Sequence, residues 1–89
     1  MTRSVILNVI GKVQGVGFRF YTLNAALQNN IVGFVKNQKD GSVYIEAKGE
    51  SVDIEVFIDW CKFGPQWAKV DFVSVVDANI NNYTNFEIR

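Results

Sequence analysis

Val5-Ile6-Leu7-Asn8-Val9-Ile10-Gly11-Lys12-Val13-Gln14-Gly15-Val16-Gly17-Phe18-Arg19 is the stretch from which the fold is read. Its first half places Val5, Leu7 and Val9 on one face of a strand and Ile6, Asn8 and Ile10 on the other. Both faces are largely apolar, which predicts a central strand. Its second half is a glycine-punctuated loop that runs into a helical pattern. Glycines let the backbone turn sharply and approach a ligand closely. The free N–H groups of a first helical turn carry partial positive charge, and an arginine at the loop's end adds a permanently charged planar fork. On physical grounds the loop is a candidate oxyanion cradle.

Working outward, Phe18 to about Asn29 reads as a helix, with Phe20, Leu23, Ala26 and Leu27 on its apolar face and Asn24 and Gln28 opposite. Asn29 and Asn30 are stop residues. Residues 31–37 read as a second strand, Asp40-Gly41 as a hairpin turn, and residues 42–48 as a third strand. Ser51 reads as the N-cap of a helix reaching about Phe63, with Ile54, Phe57, Ile58 and Cys61 at helical spacing and Gly64-Pro65 as its stop. Residues 69–78 form a fourth strand, and Phe86 and Ile88 leave room for a short fifth after the Asn-rich run 79–85. The order β-α-β-β-α-β predicts an α+β, ferredoxin-like two-layer sandwich with both helices on one face of an antiparallel sheet. Residues 1–89 are expected to form one domain.

Composition narrows the chemistry. The chain has 89 residues, 48% hydrophobic and 20% charged, as in a globular protein rather than a disordered one. There are no histidines, which removes the usual neutral-pH general base, the Ser–His and Cys–His pairings and most zinc sites. Cys61 is alone, so no internal disulfide forms; it reads as a buried structural thiol in an intracellular chain. The apolar run after Met1-Thr2-Arg3-Ser4 is too short for a signal segment or membrane span, and a cytoplasmic location is the default. Trp60 and Trp67 read as core or rim aromatics.

Net charge is zero, which argues against a general nucleic-acid binder. Its distribution is uneven. Residues 1–39 hold Arg3, Lys12, Arg19, Lys36 and Lys39 with no acid, so they carry +5; the remainder holds all 9 acids and 4 bases and carries −5. Such asymmetry favours a small anion near the first half.

The block Gly11-Lys12-Val13-Gln14-Gly15-Val16-Gly17-Phe18-Arg19 resembles the first signature of the acylphosphatase family. Gly33-Phe34-Val35-Lys36-Asn37, followed by Gly41, Val43 and Gly49, resembles its second. Weaker likenesses follow in Gly64-Pro65, Ala68, Val70 and Phe86-Glu87-Ile88, so the resemblance covers nearly the whole chain. It implies the fold already expected and a hydrolase that splits the carboxyl–phosphate bond of small acyl phosphates without metal or other cofactor. By that resemblance Arg19 and the backbone N–H groups of Gly15, Val16, Gly17, Phe18 and Arg19 hold the phosphate. Asn37 positions the attacking water, and the bound phosphate accepts the proton.

Taken alone, Arg19 would be a surface arginine and Asn37 a turn residue. Gln14 and Thr22 fit loop bracing or helix packing as well as substrate contact, and Lys12, Lys36 and Lys39 supply field rather than contact. The expected partner is a small-molecule acyl phosphate, with no nucleic acid or membrane involved and the chain acting as a monomer. A related expectation is a module handling carbamoyl phosphate at the front of a longer enzyme; the ending at Arg89 favours the free-standing form. From another class, an RNA-binding domain shares the element order, but Gly33-Phe34-Val35 lies in the wrong strand and lacks paired aromatics.

Overall fold

The computed structural model describes residues Met1–Arg89. The elements are β1 (Thr2–Lys12), α1 (Phe18–Gln28), β2 (Val32–Asn37), β3 (Val43–Glu50), α2 (Ser51–Phe63), β4 (Lys69–Asp77) and β5 (Phe86–Ile88). They form one sheet of order β4-β1-β3-β2-β5 with β1 interior, as its apolar faces require. Register places Val5 beside Ala47, Leu7 beside Ile45 and Val9 beside Val43. These side chains share one face and are fully buried beneath Ala25 and Ala26 of α1 and Ile54, Phe57 and Cys61 of α2. Both helices therefore cover the same face, and the ferredoxin-like expectation holds. Neither helix is long and apolar enough to cross a membrane.

The sheet is not wholly antiparallel. β5 pairs parallel with β2, placing Gly33 beside Phe86 and Val35 beside Ile88, so the sheet is mixed. Residues 78–85 produce this pairing by carrying the chain from one sheet edge to the other. The path starts where Ala78 N–H donates to Ser4 O (3.1 Å) and ends where Gly33 N–H donates to Asn85 O (2.9 Å). Between them Tyr83 packs edge-on against Phe34 (5.8 Å) and donates to Glu46 (2.8 Å), and Lys48 donates to Asn82 (2.7 Å). The Asn-rich run thus builds a small second cluster on the helix-free face, with Phe34 at its centre.

Three local readings need correction. The buried residues of α1 are Phe18, Thr22, Ala25 and Ala26, whereas Phe20 and Leu27 are exposed. Thr22 enters the core because its hydroxyl donates to Phe18 O (2.7 Å), which removes the cost of burying it. Ser51 is the first helical residue of α2 rather than its cap. Glu50 still pairs with Thr2 in the β1–β3 ladder, and Ser51 N–H donates to Met1 O (2.8 Å), so strand passes directly into helix. Trp60 packs on Phe18 (5.7 Å), but Trp67 is exposed. Asp53 in the first turn of α2 and Lys62 in its last suit the helix dipole, and Cys61 is fully buried, which pushes its thiol up.

Gly33 shows why glycine is needed inside β2. Its φ is +141°, and a Cβ there would lie 1.8 Å from Glu46 O of the neighbouring strand. Gly33→Ala should destabilise the fold by roughly 2 kcal/mol or more, seen as a lower urea midpoint; an unchanged midpoint would contradict this packing. Burial, followed by the hydrogen bond to Glu46, pushes the Tyr44 phenol up to about 12. An unfolded-chain tyrosine titrates near about 10. The resulting stabilisation is therefore complete below about pH 10 and lost as pH rises through about 12. Burial and its own hydrogen bond to Glu46 also push the Tyr83 phenol up, so tyrosinate absorbance against pH should show two late phenols, both brought earlier by Glu46→Gln.

Candidate active site

The loop between β1 and α1 is held by a side chain rather than by its own turns. Gln14 Nε2 donates to Gln38 O (2.7 Å) and Ser42 O (2.9 Å), which ties the loop to the β2–β3 hairpin. Gln14 is therefore a brace. The hairpin itself is closed by Gln38 N–H to Ser42 O (2.9 Å) and by Asp40, whose carboxylate accepts from Ser42 N–H (2.9 Å) and Oγ (2.6 Å). Those bonds hold the Asp40 carboxyl below its ordinary range.

Gly15 (φ +74°) and Gly17 (φ +77°) put the loop into left-handed backbone twice. Nothing lies within 4 Å of a Cβ added at Gly15, so conformation rather than space selects glycine there. Gly17 caps α1, no side chain caps the helix, and its backbone ladder begins with Tyr21 N–H to Gly17 O (3.1 Å). The N–H groups of Gly15, Val16, Gly17, Phe18 and Arg19 accordingly have no intramolecular acceptor. A helix start with several unclaimed donors and no acid in its first turn is a favourable place for an anion.

Arg19, the second residue of α1, donates from Nη1 to the Arg89 main-chain oxygen (3.3 Å). Arg89 N–H in turn donates to Val35 O (2.8 Å), so the last residue of the chain ties the arginine to β2. Asn37 ends that strand. Gly33, Val35 and Asn37 alternate with Phe34 and Lys36, which puts Asn37 on the helix-covered face with the start of α1. Its Oδ1 is buried and has no hydrogen-bond partner. A buried unmet acceptor is uncommon enough to require an explanation.

Arg19, Asn37, Gly15 and Gly17 line one cavity of about 220 Å³. The two signature blocks thus meet at a single site even though β3 lies between β1 and β2. Val16 is not among the residues lining the cavity and packs partly against the core, while Phe18 lines the cavity with its side chain buried in the core. Arg19 is the one charged residue lining the cavity, and no Asp or Glu side chain lines it. Lys36 and Lys39 stand on an adjoining hollow that shares Asn37. The Lys36 ammonium lies over the Tyr44 ring (5.2 Å). Arg3, counted in the early positive charge, pairs instead with Asp77 (3.0 Å) and with Glu55, at the opposite end of β1 from the loop. Phe20 and Ile88 also line the cavity, and neither was expected there. The missed signal was an aromatic directly after Arg19, which the apolar count had assigned to the core. No three His, Cys, Asp or Glu side chains are placed to share a metal ion.

The acylphosphatase family profile matches residues 5–88. An acylphosphatase of Oceanobacillus iheyensis is 44% identical over 89 residues, covering 98% of each chain. Among solved structures, an acylphosphatase from Coxiella burnetii superposes with a TM-score of 0.95 at 33% identity, covering 99% of this chain and 93% of that one. Full-length HypF, in its phosphate- and nucleotide-bound form, superposes with a TM-score of 0.89 at 34% identity, but this chain spans only 12% of its length. Profile, full-length relative and superposed fold agree: the chain belongs to the acylphosphatase family.

Proposed function

We propose that residues 1–89 act as a one-domain acylphosphatase, hydrolysing small acyl phosphates to a carboxylate and phosphate. The observation that carries this reading is the unpartnered buried Oδ1 of Asn37 in the same cavity as Arg19 and the unclaimed loop N–H groups. In the proposed roles, the N–H groups of Gly15, Val16, Gly17, Phe18 and Arg19 and the remaining donors of Arg19 hold the phosphoryl oxygens. Asn37 accepts a hydrogen bond from a water and directs its lone pair at phosphorus. Being neutral, the amide does this beside a dianion without the repulsion a carboxylate would exert.

The reaction then balances simply. Water oxygen forms a bond to phosphorus, the bond from phosphorus to the acyl oxygen breaks, and its electrons leave on the carboxylate. The water proton passes to a phosphate oxygen. A carboxylate whose acid titrates near about 4 leaves without a proton donor, and phosphoryl transfer is governed mostly by positioning and charge stabilisation. This suits a chain with no histidine. The same shortage of an acid leaves phosphate monoesters, whose alkoxide leaving groups are far more basic, as poor substrates. The reading includes a monomer acting on small molecules rather than nucleic acid, with cytoplasmic residence consistent with the lone buried thiol. The second reading is the one given with the sequence, in which carbamoyl phosphate, an anhydride of the same kind, occupies the site; the HypF structure that this chain resembles was solved with phosphate and nucleotide bound.

The test is hydrolysis of benzoyl phosphate with and without EDTA. Activity should persist in the chelator and be absent toward phosphate monoesters; loss on chelation would overturn the metal-free mechanism. Arg19→Ala should cost roughly 3 kcal/mol of barrier, on the order of a hundredfold in rate. Arg19→Lys should not restore it, because a point charge lacks the fork. Asn37→Ala should lower kcat while inhibition by inorganic phosphate stays close to wild type. Collapse of both would show that Asn37 binds phosphate rather than water.

A further inference from the structure

The cavity has two ends of different chemistry. Arg19, Asn37 and the N–H groups near Gly15 and Gly17 form a polar end. Its apolar lining is Val13, Phe18, Phe20 and Ile88, but Val13 and Phe18 are 1% and 2% exposed and already committed to the core. Only Phe20, 55% exposed, and Ile88, 42% exposed, have free apolar surface to offer a ligand. The contact that seats Arg19 also brings these two together. Phe20 follows Arg19 on α1, Ile88 precedes Arg89 on β5, and Arg19 donates to the Arg89 main-chain oxygen (3.3 Å). The Phe20 ring packs edge-on against Tyr21 (5.4 Å, 74°).

A cavity of about 220 Å³ is small beside the pockets that enclose drug-sized ligands. A phosphoryl group seated at the polar end therefore leaves its substituent at the rim, where Phe20 and Ile88 stand. We propose that Phe20 and Ile88 select the acyl group, favouring aromatic or larger aliphatic acyl phosphates over small or polar ones. The proposal rests on the acylphosphatase reading of the site and adds a substrate class to it. An acyl substituent covers the two side chains on binding, and part of that contact carries into the transition state. A carbamoyl group, small and polar, would gain little from covering these two side chains, so they also disfavour the second reading given above.

The experiment compares kcat/KM for benzoyl and acetyl phosphate in wild type, Phe20→Ala, Ile88→Ala and Leu27→Ala, with inorganic phosphate as inhibitor. Leu27 is 59% exposed on the same helix but does not line the cavity, so its variant controls for loss of surface apolar area alone. In Phe20→Ala, kcat/KM for benzoyl phosphate should fall about tenfold, and that for acetyl phosphate less than about twofold. Phosphate inhibition should be unchanged and Leu27→Ala should behave as wild type. Phe20→Leu should recover part of the preference. Ile88→Ala should shift the ratio in the same direction by a smaller factor. Equal changes with both substrates, or an unchanged ratio in Phe20→Ala, would overturn the proposal while leaving the acylphosphatase reading intact. A wild-type chain that hydrolyses neither substrate would overturn both.

Discussion

Two hydrogen bonds from the side-chain amide of Gln14, to Gln38 O (2.7 Å) and Ser42 O (2.9 Å), hold the site together. The β1–α1 loop has few internal bonds of its own, and two left-handed glycines set its path. The amide joins it to the hairpin that carries Asn37. Both acceptors are main-chain oxygens of one closed turn, so the brace takes its position from the β2–β3 ladder rather than from flexible side chains. The second tie runs through the middle of β2, where Val35 O receives Arg89 N–H and the Arg89 oxygen receives Arg19. Loop and arginine are therefore each referred to the same short strand.

That arrangement gives a local field different from the one the charge count suggested. The sequence halves carry equal and opposite charge, but the fold interleaves them, and Arg3 is spent on Asp77 and Glu55 away from the cavity. What remains at the cavity is one guanidinium, a set of unclaimed N–H groups and no Asp or Glu side chain. Positive charge from backbone dipoles and a tethered arginine needs little reorganisation when charge moves during reaction. In the proposed mechanism this pre-set positive end, rather than acid–base chemistry, lowers the barrier.

Features encoded in adjacent residues were readable from the sequence, and those encoded across the sheet were not. Gly11–Arg19 could be recognised as strand, loop and helix start because glycine spacing and apolar periodicity are local. Asp40-Gly41 marked its hairpin for the same reason. The core face of α1 was misjudged because Thr22 counts as polar until its bond to Phe18 O is known, and Phe20 counts as core until its exposure is known. Ser51 resembled a cap because nothing in its neighbours reveals that Met1 O takes its N–H. The parallel pairing of β5, the Tyr83–Phe34 contact and the Arg89 tether all join residues far apart in sequence, and no periodicity reports them. Of the candidate site, the glycine loop, Arg19 and Asn37 could be singled out from their signatures, but the two exposed apolar residues of the cavity lining could not.

The central claim is that phosphate is held while water attacks phosphorus, and the fate of the water oxygen tests it most directly. Benzoyl phosphate would be hydrolysed by the protein in water enriched in heavy oxygen, and both products analysed by mass spectrometry. Attack at phosphorus predicts the label in inorganic phosphate and none in benzoate. Label in benzoate would mean attack at the acyl carbon, and would contradict the roles proposed for Arg19, the loop N–H groups and Asn37 together.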